Sequence, residues 1–354
     1  MKNFKLINLL LIVATSLLLV NCTTDPIPGP DGKDGIDGID GVDGISGTTE
    51  CAACHNISTS EAVHASYLFS GHAAGGAVGY AGKRGSDKGN CAACHSNEGY
   101  IDYVVTGALQ TSDAYENATP ISCTGCHGEK HSSFDFENDG YDAALRAIEP
   151  VTLITDASYV IDFPDRSNNC ALCHQPRSTG PEDNGLGLYE VTSTHWGPHH
   201  GPQSTLLEGI QGIEITGGLD YPDPGTAGHR TGTSCTKCHM GPTESNKVNG
   251  LHTFKPTKAD CATCHQNGIP EEVGGLTENM ATLLALLEAE GILHSEINED
   301  GHLEVHPVKG TYPILTAEAA WNYLFLYEDA SKGVHNPIYA KALIQNSLDA
   351  LSAN

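Results

Sequence analysis

Cys170-Ala171-Leu172-Cys173-His174 is one of six stretches built alike, and their common reading decides what structure this chain can form. The other five are Cys51-Ala-Ala-Cys54-His55, Cys91-Ala-Ala-Cys94-His95, Cys123-Thr-Gly-Cys126-His127, Cys235-Thr-Lys-Cys238-His239 and Cys261-Ala-Thr-Cys264-His265. They take up all but one of the 13 cysteines in a chain of 354 residues that also carries 18 histidines. At this composition chance supplies about 0.02 such pentapeptides, so the repetition marks one chemistry used six times.

Two cysteines three apart with histidine directly after them form the attachment signature of c-type haem. The cysteines make thioethers to the vinyl groups on one edge of the porphyrin, and the histidine then lies beneath the ring as a proximal ligand. A redox dithiol or a zinc site would explain a single Cys-x-x-Cys but not the invariable histidine. The expected cofactors are therefore six haem c, held by Cys51, Cys54, Cys91, Cys94, Cys123, Cys126, Cys170, Cys173, Cys235, Cys238, Cys261 and Cys264. Proximal ligation falls to His55, His95, His127, His174, His239 and His265. With about 55 residues per motif there is too little chain for six ordinary pockets, so the porphyrins themselves should form the core. The fold expected is mainly α with much irregular loop and few or no strands.

The sixth coordination position separates an electron carrier, which fills it with a second protein ligand, from a catalyst, which leaves it open. Methionine is nearly excluded: of three, Met1 opens the leader and Met240 directly follows His239, leaving Met280. Histidine is plentiful, with His64, His72, His131, His195, His199, His200, His229, His252, His294, His302, His306 and His335 outside the motifs. Bis-histidine, low-spin iron is the expectation.

Ser70-Gly-His72-Ala, His195-Trp-Gly-Pro-His199-His200, His252-Thr-Phe-Lys-Pro256 and Gly333-Val-His335-Asn-Pro337 resemble segments of multihaem cytochromes c. The likeness runs over nearly all of residues 51–354. It is to extracellular multihaem electron carriers and, more distantly, to pentahaem nitrite reductases and octahaem enzymes. The resemblance implies that His72, His199, His252 and His335 are distal ligands. His131, four residues past His127, and His229, six before Cys235, complete a set of six. His64 competes with His72, and His195 and His200 compete with His199. His294, His302 and His306 sit among Asn298, Glu299 and Asp300, which reads as a solvated polar loop.

Lys2 and Lys5 followed by the apolar run Leu6–Val20 read as a signal peptide, 1–21, too short to span a bilayer. Leu19-Val20-Asn21-Cys22 resembles a lipoprotein cleavage box, which makes Cys22 the candidate lipidation site. Thr23 after it points by the same resemblance to the outer membrane or cell surface, with release to the medium an alternative. From Gly29 to Gly47 every third residue is glycine, the collagen period, although only one triplet contains proline. Residues 22–47 are thus expected to be the lipidated anchor and a spacer, extended or trimeric. A hexahaem domain, 48–354, follows, with its motifs at 51–265.

From 276 to 354 the pattern changes to helices. Thr277 is placed to cap one that carries Met280, Leu283, Leu284 and Leu287 and stops at Gly291. Thr316 would start a second, through Tyr323, Leu324 and Tyr327 and ending near Gly333. Asn336-Pro337 would cap and open a third.

The net charge of −26, deepened by two once the leader lysines go, excludes nucleic acid and favours basic partners or cations, calcium included. These readings point to an electron-transfer protein that meets partner redox proteins or extracellular acceptors, singly, as a homo-oligomer or in a filament. The alternative is a nitrite- or hydroxylamine-type reductase. Enzymes of that kind characteristically carry lysine in place of one motif histidine, whereas here all six are histidine.

Overall fold

A Cys-x-x-Cys pair spans one helical turn, so each motif needs only a short helix, and short helices separated by loops are what the molecule shows. The computed structural model describes residues 55–76, 78–81, 88–108, 115–129, 131, 143–242, 250–270 and 272–353. All of them belong to the unit Ala53–Asn354. The leader, Cys22, the glycine-repeat segment, Cys51 and Cys54 lie outside the described residues.

Helices α1 (Ile57–Tyr67), α2 (Gly71–Ala74), α3 (Val78–Ala81), α4 (Lys88–His95) and α5 (Asn97–Thr106) come first. The next motifs lie on or beside α6 (Cys123–Cys126) and α7 (Asn168–Ala171). After α8 (Gln203–Glu208) and α9 (Gly228–Gly232) come the motif helices α10 (Cys235–His239) and α11 (Lys258–Ala262). Polar caps start several of them. Asn56, Ser70 and Ser96 accept backbone N–H bonds at the heads of α1, α2 and α5. Thr257 and Asp260 form a reciprocal capping box on α11.

The C-terminal part builds a side-chain core, as the apolar stripes of its three expected helices imply. Helices α12 (Leu276–Ala289), α13 (Ile314–Asp329) and α14 (Pro337–Ser352) pack together, burying Leu283, Leu287, Phe325, Leu343 and Ile344. Helix α13 is buried along most of its length, with Trp321 fully enclosed, as befits the middle element of a cluster. Asn336 does cap α14, accepting from the Tyr339 N–H, and Pro337 opens it. Two boundaries differ from expectation. Helix α12 begins at Leu276 behind Gly275 in a left-handed conformation, ahead of Thr277. Helix α13 starts at Ile314 and ends at Asp329, because Ala330 turns left-handed (φ 59°) well before Gly333.

Segment 211–219 runs across these helices and is clamped by their polar side chains. Asn322 accepts from Ile213 N–H (2.7 Å) and donates to its carbonyl (2.8 Å), while Asn346 does the same to Leu219 at 3.0 and 2.9 Å. Trp321 donates to the Gln211 carbonyl, and Tyr339 accepts from Gly212 N–H. Buried backbone groups must find partners, and here side-chain amides replace the strand that is not there.

Among the described residues six short strands form three antiparallel pairs: β1 (Val151–Thr152) with β2 (Val160–Ile161), β3 (Leu188–Val191) with β6 (Gly310–Pro313), and β4 (Leu293–Ile297) with β5 (Leu303–Pro307). The last pair corrects the reading of His294 and His306 as parts of a polar loop, while His302 does lie in the exposed turn with Asn298, Glu299 and Asp300. Alternation of Leu293, Val305 and Pro307 inward with His294, Glu296, Glu304 and His306 outward makes it a hairpin. Its exposed face brings ligand-type atoms of Glu296, Glu304 and His306 within 4.8 Å of one another. Among the described residues no helix is long and apolar enough to cross a membrane.

Because Leu287 is fully buried in the helical cluster, Leu287→Ala should cost about 2–5 kcal/mol. A lowered urea midpoint with an unchanged covalent chromophore content would show it.

Candidate haem-binding sites

Each motif histidine has one other histidine ring set opposite it. Centroid separations are 6.0 Å for His55 and His131, 6.2 Å for His174 and His72, and 5.9 Å for His95 and His199. They are 6.2 Å for His127 and His252, 6.0 Å for His265 and His229, and 6.2 Å for His239 and His335. Two imidazoles on opposite faces of one metal, each nitrogen about 2.0–2.1 Å from it, put their ring centres about 6 Å apart. The donor set therefore fits six metal centres with two imidazoles each. The opposing rings come from sequence-remote segments: α2 supplies His72, the 3-10 turn Leu251–Thr253 supplies His252, and the α13–α14 loop supplies His335. Of the competitors, His64 and His195 are exposed, and His200 bonds Glu328 through Nδ1 at 2.5 Å with its ring tilted 42° to that of His199.

Ring orientation is held through Nδ1, which leaves Nε2 for a metal. Nδ1 of His127 meets the Ala143 carbonyl (2.6 Å), that of His239 the Phe254 carbonyl (2.9 Å), and that of His229 the Val334 carbonyl (2.5 Å). His174 meets the Gln203 amide oxygen (3.0 Å), and His335 meets the Asp329 carboxylate (2.5 Å). His252 Nδ1 is buried and has no partner. The far end of α13 acts as a shared anchor, since Gln203 also donates to the Glu328 and Asp329 carbonyls. Through it, the ligand-type rings His174 and His335 hang from one helix terminus.

At six of these rings burial favours the neutral imidazole, the form that offers a lone pair to a metal. Burial, then the neighbouring His174, holds His72 down at about 4. Burial, followed by His200 and His95, does the same at His199. Burial also depresses His95, His174, His239 and His252. His335 is the exception: burial disfavours its charge, but the Asp329 carboxylate outweighs that and raises it.

Several sites abut one another. Cys94 and Cys173 lie within hydrogen-bonding reach, and the Cys173 thiol points at the Ala93 carbonyl (3.8 Å). Cys170 likewise reaches Cys235, and Thr236 N–H donates to Ser167 at 3.2 Å. Asn169 bridges Cys126 and the Tyr100 hydroxyl. The fourth motif thus touches the second, third and fifth. His229, opposite the sixth motif, bonds the carbonyl next to His335, which stands opposite the fifth. Phe254 lies at the meeting point. Its ring is 4.9 Å from His72 and 5.7 Å from His252, its carbonyl holds His239, and its backbone is left-handed (φ 55°).

Gln203, Asp329 and Asn169 were not singled out from sequence, and Phe254 entered only as a member of the His252-Thr-Phe-Lys-Pro256 segment, with no role of its own. Asp329 is recognisable only once the loop folds its carboxylate back onto His335. Cys51 and Cys54, of the first motif, lie outside the described residues.

No family model matches the chain. It is 23% identical over 343 residues to the "C-type polyheme cytochrome OmcC" of Geobacter sulfurreducens, an alignment covering 75% of this chain and 43% of that protein. The chain thus spans less than half the length of that curated relative. Two solved structures are similar: the outer cell wall cytochrome OcwA, at 21% identity and a TM-score of 0.49, and an undecahaem cytochrome from the S-layer of Carboxydothermus ferrireducens, at 16% and 0.42. The first covers 81% of this chain and 49% of its own, and the second 77% and 38%.

Gln203→Leu would strip His174 Nδ1 and two helix-end carbonyls of their partner. It should cost about 1–3 kcal/mol in unfolding experiments, a penalty absent from an exposed control such as Gln266→Leu. Six Cys-x-x-Cys-His motifs, and a polyhaem cytochrome that aligns with three quarters of the sequence, agree on one likeness: the chain resembles multihaem c-type cytochromes.

Proposed function

We propose that this protein is an electron carrier holding six haems, each bound between one motif histidine and the ring opposite it, with no coordination position left for substrate. The supporting observation is the set of six ring pairs at 5.9–6.2 Å, one for every motif. Haem iron supplies one-electron chemistry, and filling both axial positions with histidine confines it to that. The protein's own part is to fix ring positions, hold buried rings such as His72 and His199 neutral and crowd the sites together, because tunnelling falls off exponentially with the gap.

The abutting motifs suggest a route from the first site through the third to the fourth, then to the fifth and sixth, with the second branching from the fourth. His131 of the first pair lies four residues beyond His127 of the third, which supports the opening step. The sites at the ends of this route are also the open ones. His55, His199 and His265 are exposed, whereas both rings of the third, fourth and fifth pairs are partly covered. Electrons would enter and leave at those three ends and meet partner redox proteins or external acceptors there. The strongly acidic chain would favour partners with basic faces. Display at the cell surface through lipidated Cys22 and the 22–47 spacer suits this role.

Pyridine haemochrome analysis and intact mass should give six covalent haems per chain. The ferric protein should be wholly low-spin and unresponsive to nitrite, cyanide or carbon monoxide. A high-spin fraction that binds them would make the protein a reductase. His199→Ala should open one iron in six to carbon monoxide. The mutual angle of two axial rings governs how they split the iron d orbitals. Four pairs lie at 73–85° and two at 36–39°, so two classes of low-spin EPR signal are expected in a ratio of four to two. Cys22→Ser should abolish lipid incorporation and shed the protein from the membrane fraction.

A further inference from the structure

Asp329 occupies an expensive place. It is the last residue of α13, where the helix macrodipole already presents partial negative charge, and its side chain is wholly buried. An ionised carboxylate in such a position is retained only if its partners compensate. Its partners are few. Oδ2 accepts from the Ser331 N–H (3.0 Å) and the Ser331 hydroxyl, and Oδ1 meets His335 Nδ1 at 2.5 Å.

The other rings with a recorded Nδ1 partner among the six pairs are held by neutral oxygens. These are the backbone carbonyls of Ala143, Phe254 and Val334 and the side-chain amide of Gln203. His335 alone among them faces an anion. A hydrogen bond to a carboxylate is shorter and stronger than one to a carbonyl, and it draws the Nδ1 proton partly away. The ring gains imidazolate character, and Nε2 becomes a stronger donor to whatever it ligates. A stronger donor stabilises ferric over ferrous iron, and the buried charge acts in the same direction.

We propose that Asp329 is a positioning residue that tunes one site of the chain: acting through His335, it lowers the reduction potential of the haem held between His239 and His335. The inference rests on the ligand pairs proposed above. It places a site with a lowered potential between the fourth and sixth motifs, so Asp329 regulates passage along that arm of the route.

The test is spectroelectrochemical titration with EPR on the full-length, haem-loaded protein. Asp329→Asn should raise one midpoint and move one low-spin signal, leaving the other five in place. The expected size is about tenfold in the reduction equilibrium, about 59 mV for one electron. Glu328→Gln removes an equal charge one residue away, on His200, which belongs to no ring pair, and should leave that midpoint unchanged. If Asp329→Asn does not load its haems, Ser331→Ala gives the same test with opposite sign. It takes a donor from the carboxylate, makes it a more basic acceptor and should lower the same midpoint. Unshifted midpoints in a six-haem, low-spin Asp329→Asn protein would overturn the proposal. So would an equal shift of the same signal by Glu328→Gln, or a Ser331→Ala midpoint that stays or rises. A wild-type protein without six low-spin haems would refute the ligand pairs themselves.

Discussion

The constraint on which the structure depends is the opposition of two imidazoles across a space the width of one metal ion, repeated for every motif. A covalent attachment motif brings only one of the two rings. The other must be carried in from elsewhere in the chain and held to within a few tenths of an ångström. Irregular loops cannot do this alone, because an unsupported loop loses more conformational entropy on being fixed than one ring contact returns. The structure meets the requirement by making most positions serve more than one site.

The clearest instance is the junction of α13 with the loop to α14. Helix α13 is buried in the C-terminal cluster, so its terminus is rigid, and three bonds fan out from that terminus. Gln203 runs from its carbonyls to His174, Asp329 reaches His335, and Glu328 reaches His200 beside His199. The side-chain core of the tail is therefore the foundation for rings belonging to several motifs. The clamps of Asn322 and Asn346 on segment 211–219 extend that rigidity toward α8, which carries Gln203. Phe254 plays the corresponding part on the other side, with its ring between His72 and His252 and its carbonyl on His239.

The same economy sets the electrical layout. With both cysteines of the fourth motif in reach of other motifs, that motif is surrounded by neighbours, while the first, second and sixth keep an exposed ring. A hub with three open ends suits a branching conductor better than a pocket. The tuning assigned to Asp329 then acts on one arm of this layout and leaves the others alone.

The sequence by itself determined the chemistry. Cys-x-x-Cys-His is a local pattern whose five residues carry the attachment and the proximal ring, so it could be read six times without reference to the fold. The C-terminal helices were legible for a similar reason: periodicity, an Asn-Pro start and Gly291 are local signals, off by two residues at the starts and by about four where Ala330 ends the second helix. The candidates His72, His131, His199, His229, His252 and His335 could be named from neighbouring residues, but not assigned to motifs. Pairing joins segments as far apart as His127 and His252, and no local pattern records such a distance. Only the tertiary structure decided which ring faces which, that His200 bonds Glu328 while His199 faces His95, and that a hairpin rather than a loop carries His294 and His306. It also decided the supporting contacts of Gln203, Phe254 and Asp329. Those roles are properties of position in space, created when a helix end, a turn and a loop meet.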